Sequence, residues 1–284
     1  MKIAFENSMG ERTDFSTGFI RAVKAEGITP YSKVNYAESA FFDGAEYISE
    51  LVQTRKIIIT AVVCGKDEKH ILGLSSVIGA QGGGRLIFEA GGRAMEIVCY
   101  TENSDIVYES TPARVKLSFI CLSPFFERTD SAGGCYRLIC GTEGRLEFEW
   151  ELFESGNILS ETVGSRSVLI ENRGSVPSGC VITIDVLRTA SDIRVVNAST
   201  GEYIEMSGSW NSGVRLVIDT RSGRKGTYCY YPDGSSEDVI YRLKWGSEFF
   251  SVPSGKCRIY ADSSQGNGCL SAVIFFNERY RGIT

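Results

Sequence analysis

One histidine in 284 residues, six prolines and no long apolar run define what this chain is not. The lone imidazole, His70, removes most triad, general-base and zinc designs, which depend on at least one well-placed histidine. It stands beside Lys69 and reads as a surface or boundary residue, with no G-x-S-x-G nucleophile motif to accompany it. The most apolar run, Ile57 to Cys64 (IIITAVVC), falls far short of the ~20 residues needed to cross a bilayer. The opening MKIAFENSMGERTD has no signal-peptide core, so synthesis in a cytosol is expected. A block of like charge is missing too. The formal net charge is −5, and the halves up to and beyond Gly134 carry −3 and −2. Neither has the basic footprint that phosphate binding or a polybasic membrane patch requires, so no nucleic-acid and no membrane partner is expected.

Glycine, by contrast, is abundant: 31 residues where the usual ~7% would give roughly 20. With so little proline, that surplus fits many tight turns between strands. Nine cysteines (64, 99, 121, 135, 140, 180, 229, 257, 269) are an odd number without a secretion signal, which favours free thiols over a disulfide framework. Most sit inside apolar, strand-like runs, where cysteine packs as a small hydrophobe. The closest pair, Cys135-x4-Cys140, lacks the two further ligands a zinc site needs, so no metal and no cofactor is expected.

The pattern along the chain predicts a mainly β protein in two domains, 1–134 and 135–284. The first 50 residues show no firm period and are expected to form irregular strands and loops. Arg55 to Cys64 reads as a buried strand. From Asp67, His70, Ile71, Leu74, Val77 and Ile78 recur at helical spacing, and Gly79 with Gly82, Gly83 and Gly84 stops the helix. RLIFEA and RAMEIVCY flank Gly91-Gly92, a dipeptide suited to a hairpin turn. Val115, Leu117, Phe119 and Cys121 alternate as one strand face, and ERTDSAGG from Glu127 to Gly134 reads as the linker. Beyond it, SVLIE, CVITIDV, IRVV, EYIEM, VRLVIDT, TYCYY, VIYRL, EFFSV, CRIYA and LSAVIFF are short, turn-punctuated strands, the pattern of an antiparallel β-sandwich.

Chemistry-bearing candidates are few. Glu147, Glu149 and Glu151 share a strand face and could imitate a glycosidase pair, but Leu146, Phe148, Trp150 and Leu152 on the other face explain the alternation by burial alone. Gly82-Gly83-Gly84 lacks the Gly-Lys-Ser/Thr ending of a phosphate loop. The sequon Asn197-Ala198-Ser199 carries no meaning without secretion. Trp210, Tyr228, Tyr230, Tyr231 and Trp245 could stack on sugars, with about half of them expected in the core by alternation. Tyr228, Tyr230 and Tyr231 are the candidate ligand-binding residues; no catalytic set is present.

The order of motifs resembles a known family. The strand RKIIITAVV, the helix, the glycines, the hairpin RLIFEAGGRAMEIVCY and the strand VKLSFICLSPFF resemble the N-terminal domain of the distal tail protein of siphophages. Cys121, Pro124 and Phe125 match its Cys-x-x-Pro-aromatic pattern, and IENRGSVPSGCVITIDV, IRVVNASTGEYIEM, VRLVIDT and the closing RYRGI look like its C-terminal sandwich. The resemblance implies an N-terminal ring-forming tail domain with one short helix and a β-hairpin, then a C-terminal galectin-like antiparallel β-sandwich. It implies a self-assembled ring, usually a hexamer, that joins the tail tube protein to a tail-tip or baseplate protein, made in the bacterial host cytoplasm and located at the virion tail tip. That role is structural rather than enzymatic. A galectin's sugar-binding residues do not map onto this sequence, and at this length there is no room for an inserted carbohydrate-binding module. The alternatives are a carbohydrate-binding β-sandwich module using the three tyrosines and a hydrolase using the glutamate ladder.

Overall fold

The computed structural model describes the chain except residues 39–40, 42, 64–67, 80–81, 108–113, 130–133, 145–159, 164–166, 265–267 and 284. For residues 68–72, 106–107, 134–144 and 160–163 it describes the backbone only. The chain forms two units, Met1–Gly133 together with Arg279–Thr284, and Gly134–Glu278. Among the described residues the fold is mainly β with one short α-helix, as the sequence pattern predicts.

The first unit contains β1 (Lys2–Asn7), β2 (Arg12–Asp14), β3 (Ile20–Glu26), β4 (Lys33–Glu38), β5 (Ala45–Leu51), β6 (Arg55–Val63), α1 (Glu68–Ile78), β7 (Gly84–Ala90), β8 (Arg93–Val107), β9 (Arg114–Cys121) and β10 (Phe126–Arg128). The antiparallel order is β2-β1-β7-β8-β9-β6-β3, with β10 added on β8. The first 50 residues therefore supply five regular strands, three of them in the main sheet. Their irregular pattern arises because β3, β4 and β5 leave most side chains exposed.

Strand β8 joins two layers. Its residues 93–99 pair with β7, its residues 100–107 pair with β9, and a bulge between Thr101 and Asn103 bends the strand between them. The layers enclose Ile57, Ile59, Leu86, Phe88, Val115, Leu117 and Phe119, all fully buried. Phe5 stacks on Phe119 with ring centroids 5.3 Å apart, and Phe88 meets Phe126 edge-on at 5.7 Å. Each buried phenylalanine contributes about 1.5–3 kcal/mol of transfer free energy. The β7–β8 turn has Gly91 at φ 58° and Gly92 at φ 76°, the two positive angles that a two-residue hairpin turn demands. Leu74 and Ile78 bury one face of α1, and Thr101 Oγ1 donates to the Ile78 carbonyl at 2.8 Å, satisfying an end that lacks helical partners.

The predicted linker begins as structure, since Glu127 and Arg128 lie in β10 opposite Glu96 and Met95 of β8. A further departure lies at the other end of the chain, where the closing RYRGI, which the sequence reading keeps with the second domain, belongs to the first unit.

The second unit is a two-sheet sandwich of β11 (Gly134–Gly144), β12 (Ser160–Val163), β13 (Val168–Asn172), β14 (Cys180–Val186), β15 (Ala190–Asn197), β16 (Tyr203–Trp210), β17 (Arg215–Asp219), β18 (Gly226–Tyr230), β19 (Ser236–Asp238), β20 (Gly255–Asp262) and β21 (Leu270–Asn277). The larger sheet runs β12-β11-β21-β14-β17-β18-β19 and the smaller runs β13-β20-β15-β16, all antiparallel. Alternation puts Cys180, Ile182, Ile184 and Val186 of β14 inward, facing core partners such as Ile193, Val195, Cys257 and Ile259 of the smaller sheet.

Two expected strands are not strands. VIYRL forms a 3-10 turn at Ile240–Arg242, and EFFSV has no ladder of its own. This stretch passes from the edge of the larger sheet to that of the smaller, so its backbone groups bond piecemeal. Lys244 N donates to Glu205 O at 2.9 Å, Glu248 N to Tyr203 O at 2.8 Å, and Val252 N to Ser178 O at 2.8 Å. The buried Asn172 amide donates to Val252 O at 3.0 Å, while Phe250 and Val252 enter the core.

Candidate interaction surfaces

Two surfaces stand out, one on each unit. On the first, β4 and β5 form a two-stranded ribbon that is outside both layers of the main sheet. Tyr36 lies opposite Tyr47, and Val34, Tyr36, Tyr47, Ile48 and Leu51 are all exposed. An isolated hairpin is at best marginally stable in water, and one that exposes this much apolar surface invites a cover. Its root is held: the Tyr31 hydroxyl lies 2.7 Å from the Gln53 carbonyl and 2.6 Å from that of Thr54, and Arg281 Nη1 lies 2.5 Å from Glu50 Oε1. The Arg281 guanidinium and the Ser32 hydroxyl hold the Glu50 carboxyl below its usual range, with Ser32 the larger cause. On the same unit, β3 is an edge strand of the main sheet with Val23 exposed. An unpaired strand edge offers backbone donors and acceptors to another chain.

On the second unit, the structure separates the three candidate tyrosines. Tyr228 and Tyr230 point outward from β18, 38% and 44% exposed, while Thr227 and Cys229 between and beside them are buried. Tyr231 packs against the core instead, and its hydroxyl donates to Glu237 Oε2 at 2.9 Å. Tyr241 donates to the other oxygen of Glu237 at 3.0 Å. These bonds, Tyr231's the stronger, lower the Glu237 carboxyl and raise the Tyr231 phenol. Trp210 is buried in the core, and Trp245 is almost wholly exposed on a turn.

Tyr230 heads a polar row. Its strand partner is Arg215, which pairs in turn with Asp185. Arg215 Nε lies 2.6 Å from Asp185 Oδ1 and Nη2 lies 3.3 Å from Oδ2, a forked pair that raises the guanidinium's proton affinity. Periodicity alone finds which tyrosines share a face. Only the paired strands reveal Arg215 and Asp185 beside them, because neither stands near Tyr230 in sequence.

Glu147, Glu149 and Glu151 lie outside the described residues, as do the side chains of His70, Cys135 and Cys140. Among the described residues no group of three His, Cys, Asp or Glu is placed to hold a metal ion, and no helix is long and apolar enough to cross a membrane. The sequon asparagine, Asn197, is fully buried. The six cysteines with described side chains are free and buried.

Comparison with known proteins places these surfaces in context. Residues 173–280 match the family described as Siphovirus-type tail component, C-terminal domain. The SPP1 Dit (gp 19.1) protein has a similar fold, with a TM-score of 0.68 at 13% identity, over 98% of this chain and 98% of that one. A chain of the phage P2 baseplate in its activated conformation with Ca is similar at a TM-score of 0.52 and 8% identity, over 99% of each. No curated protein matches this chain in sequence.

Proposed function

We propose, for a chain that carries a siphovirus-type tail component domain on the fold of a distal tail protein, that it is the ring at the end of a long phage tail. The ring, a hexamer in this reading, joins the tail tube protein to the tail-tip or baseplate protein. The observation that carries the proposal is the fold likeness to SPP1 Dit along 98% of both chains, a protein described as a paradigm of the hub of an adsorption apparatus. The role is organisational and needs no active site. Synthesis in the bacterial host cytoplasm and assembly at the virion tail tip follow from it. The first unit supplies the ring contacts, and the second is galectin-like in this reading.

The exposed β4–β5 ribbon supports self-assembly. It has the apolar payload of an interface, and its fixed root keeps the cost of ordering it low. A head-to-tail contact of this kind closes into a ring when its rotation divides the circle evenly. Light scattering coupled to size exclusion across a wide concentration range, with negative-stain images of the largest species, tests the proposal. Rings that disappear in a Tyr36→Arg, Ile48→Arg double variant are the expected result. A protein that stays monomeric at every concentration, and also with tail-tube protein added, overturns it.

A further inference from the structure

The outer face of the larger sheet in the second unit has a chemistry that ring assembly through the first unit does not use. A Cβ placed on Gly226 would lie 2.9 Å from the Tyr228 hydroxyl oxygen and 3.1–3.2 Å from atoms of its ring. Tyr228 is thus laid back along its own strand across the bare glycine, and the residue stays 38% exposed. Tyr230 stands two residues on, about 7 Å along the strand, on the same face. Across the ladder from Tyr230 come Arg215, Asp185 and Ser271, and across from Tyr228 come Val217, Thr183 and, on the opposite side, Asp238.

We propose that this face is an oligosaccharide-binding site, with Tyr228 and Tyr230 stacking on pyranose rings and the Arg215–Asp185 pair hydrogen-bonding their hydroxyls. A pyranose has a C–H face and a rim of hydroxyls. The electron-rich face of a tyrosine attracts the weakly positive C–H hydrogens, and its two side-chain torsions make it a cheap anchor to order. The forked pair adds a donor and an acceptor side by side, which matches two neighbouring hydroxyls. Arg215 uses Nε and Nη2 on Asp185, and its Nη1 is not engaged by that carboxylate. Tyr and Arg are enriched at protein-binding hot spots too, but Ser, Thr and Asp are depleted there. Here the rows around the two rings carry Asp185, Thr183, Arg215, Asp238 and Ser271.

Titration calorimetry of the full chain with cellohexaose, maltohexaose and chitohexaose tests the site, backed by native gels containing hydroxyethylcellulose or soluble starch. Binding of at least one probe is expected, weakened about tenfold by Tyr230→Ala, by Tyr228→Ala and by Arg215→Met, and unchanged by Tyr241→Ala. Because Tyr228 covers Gly226, Tyr230→Ala decides the matter if the Tyr228 variant loses its fold. No heat and no retardation with any probe overturns the proposal, and so does binding that both tyrosine variants leave intact. The result is independent of oligomeric state, so failure here leaves the ring proposal standing and failure of the ring leaves this site standing.

Discussion

The guanidinium of Arg55 donates to the carbonyl oxygen of Arg281, 226 residues away. The same side chain, fully buried, donates to the carbonyls of Gly27 at 2.6 Å, Thr29 at 2.9 Å and Pro124 at 2.9 Å, and lies over the rings of Tyr31 and Phe126. A buried cation is tolerated because backbone dipoles and ring faces replace its hydration. Burial still lowers the Arg55 proton affinity, with Tyr31 and Cys121 working in the other direction. This clasp holds β22 (Arg279–Tyr280), which pairs with β10 through Phe126 opposite Tyr280, in the first unit.

Removing the clasp is expected to loosen the tail of the chain. Arg55→Met leaves four carbonyls short of the buried cation that bonds them, at a cost of roughly 3 kcal/mol. Denaturant unfolding should show that loss, and carboxypeptidase should trim residues 279–284 faster than in the unaltered protein. Gly282→Ala should act the same way by another route, since its Cβ would sit 2.5 Å from Pro30 Cδ. Equal trimming rates in all three proteins would refute the clasp.

The ribbon should be dispensable for folding and required for assembly. Neither β4 nor β5 belongs to the main sheet, so replacing residues 33–51 by a short Gly-Ser loop keeps the Phe5–Phe119 core. A melting temperature within a few degrees of the original, with loss of the larger species on size exclusion, is the expected pair of results. A protein that still assembles without its ribbon would move the ring contact elsewhere.

Acid should weaken the second unit through Asp219. Burial pushes this carboxyl up, but the Arg221 side chain and backbone, with Arg224 beyond, outweigh it and leave the carboxyl below its usual value of 3.8. Arg221 Nη2 lies 2.6 Å from Asp219 Oδ2. A depressed carboxyl stabilises the fold above the unfolded value, and that stabilisation is lost as pH falls through the lower, folded one. Asp219→Asn should therefore cost about 1 kcal/mol at pH 7 and almost nothing below the folded value, as read from denaturant midpoints. A deficit that persists undiminished at low pH would show that the charge is not the cause.

The described cysteines should be inert in the folded protein. Burial pushes the Cys180 thiol up to about 12 against a bond to Thr220, and the Cys121 thiol up to about 12 against the pull of Arg55. At pH 8 a thiol with that value is only about one ten-thousandth thiolate, the reactive form. Brief iodoacetamide treatment followed by peptide mass mapping should leave Cys99, Cys121, Cys180, Cys229, Cys257 and Cys269 unlabelled, and denaturant should expose all six. Rapid native labelling of any of them would contradict the packing.

The likeness to the siphophage tail family is legible in the sequence and borne out, because its carriers are local. Gly91-Gly92 must turn a hairpin whatever surrounds it, and the alternation of Val115, Leu117, Phe119 and Cys121 dictates which face of β9 is buried. The period of two on β18 likewise fixes Tyr228 and Tyr230 on one face. Other features depend on contacts between residues far apart. Ile240–Arg242 reads as strand until its place between two sheet edges shows that it has no ladder to join. The closing RYRGI reads as part of the second domain until Arg55 and β10 claim it for the first. Arg215 and Asp185 meet Tyr230 only through strand register, and the β4–β5 ribbon declares itself only by being left outside the main sheet. Fold class, turns and inward faces are readable from the residues alone, since backbone angles and side-chain alternation are local physics. Which distant segments share a unit or a surface was decided by the tertiary structure, since buried hydrogen bonds and strand pairing depend on the whole chain's path.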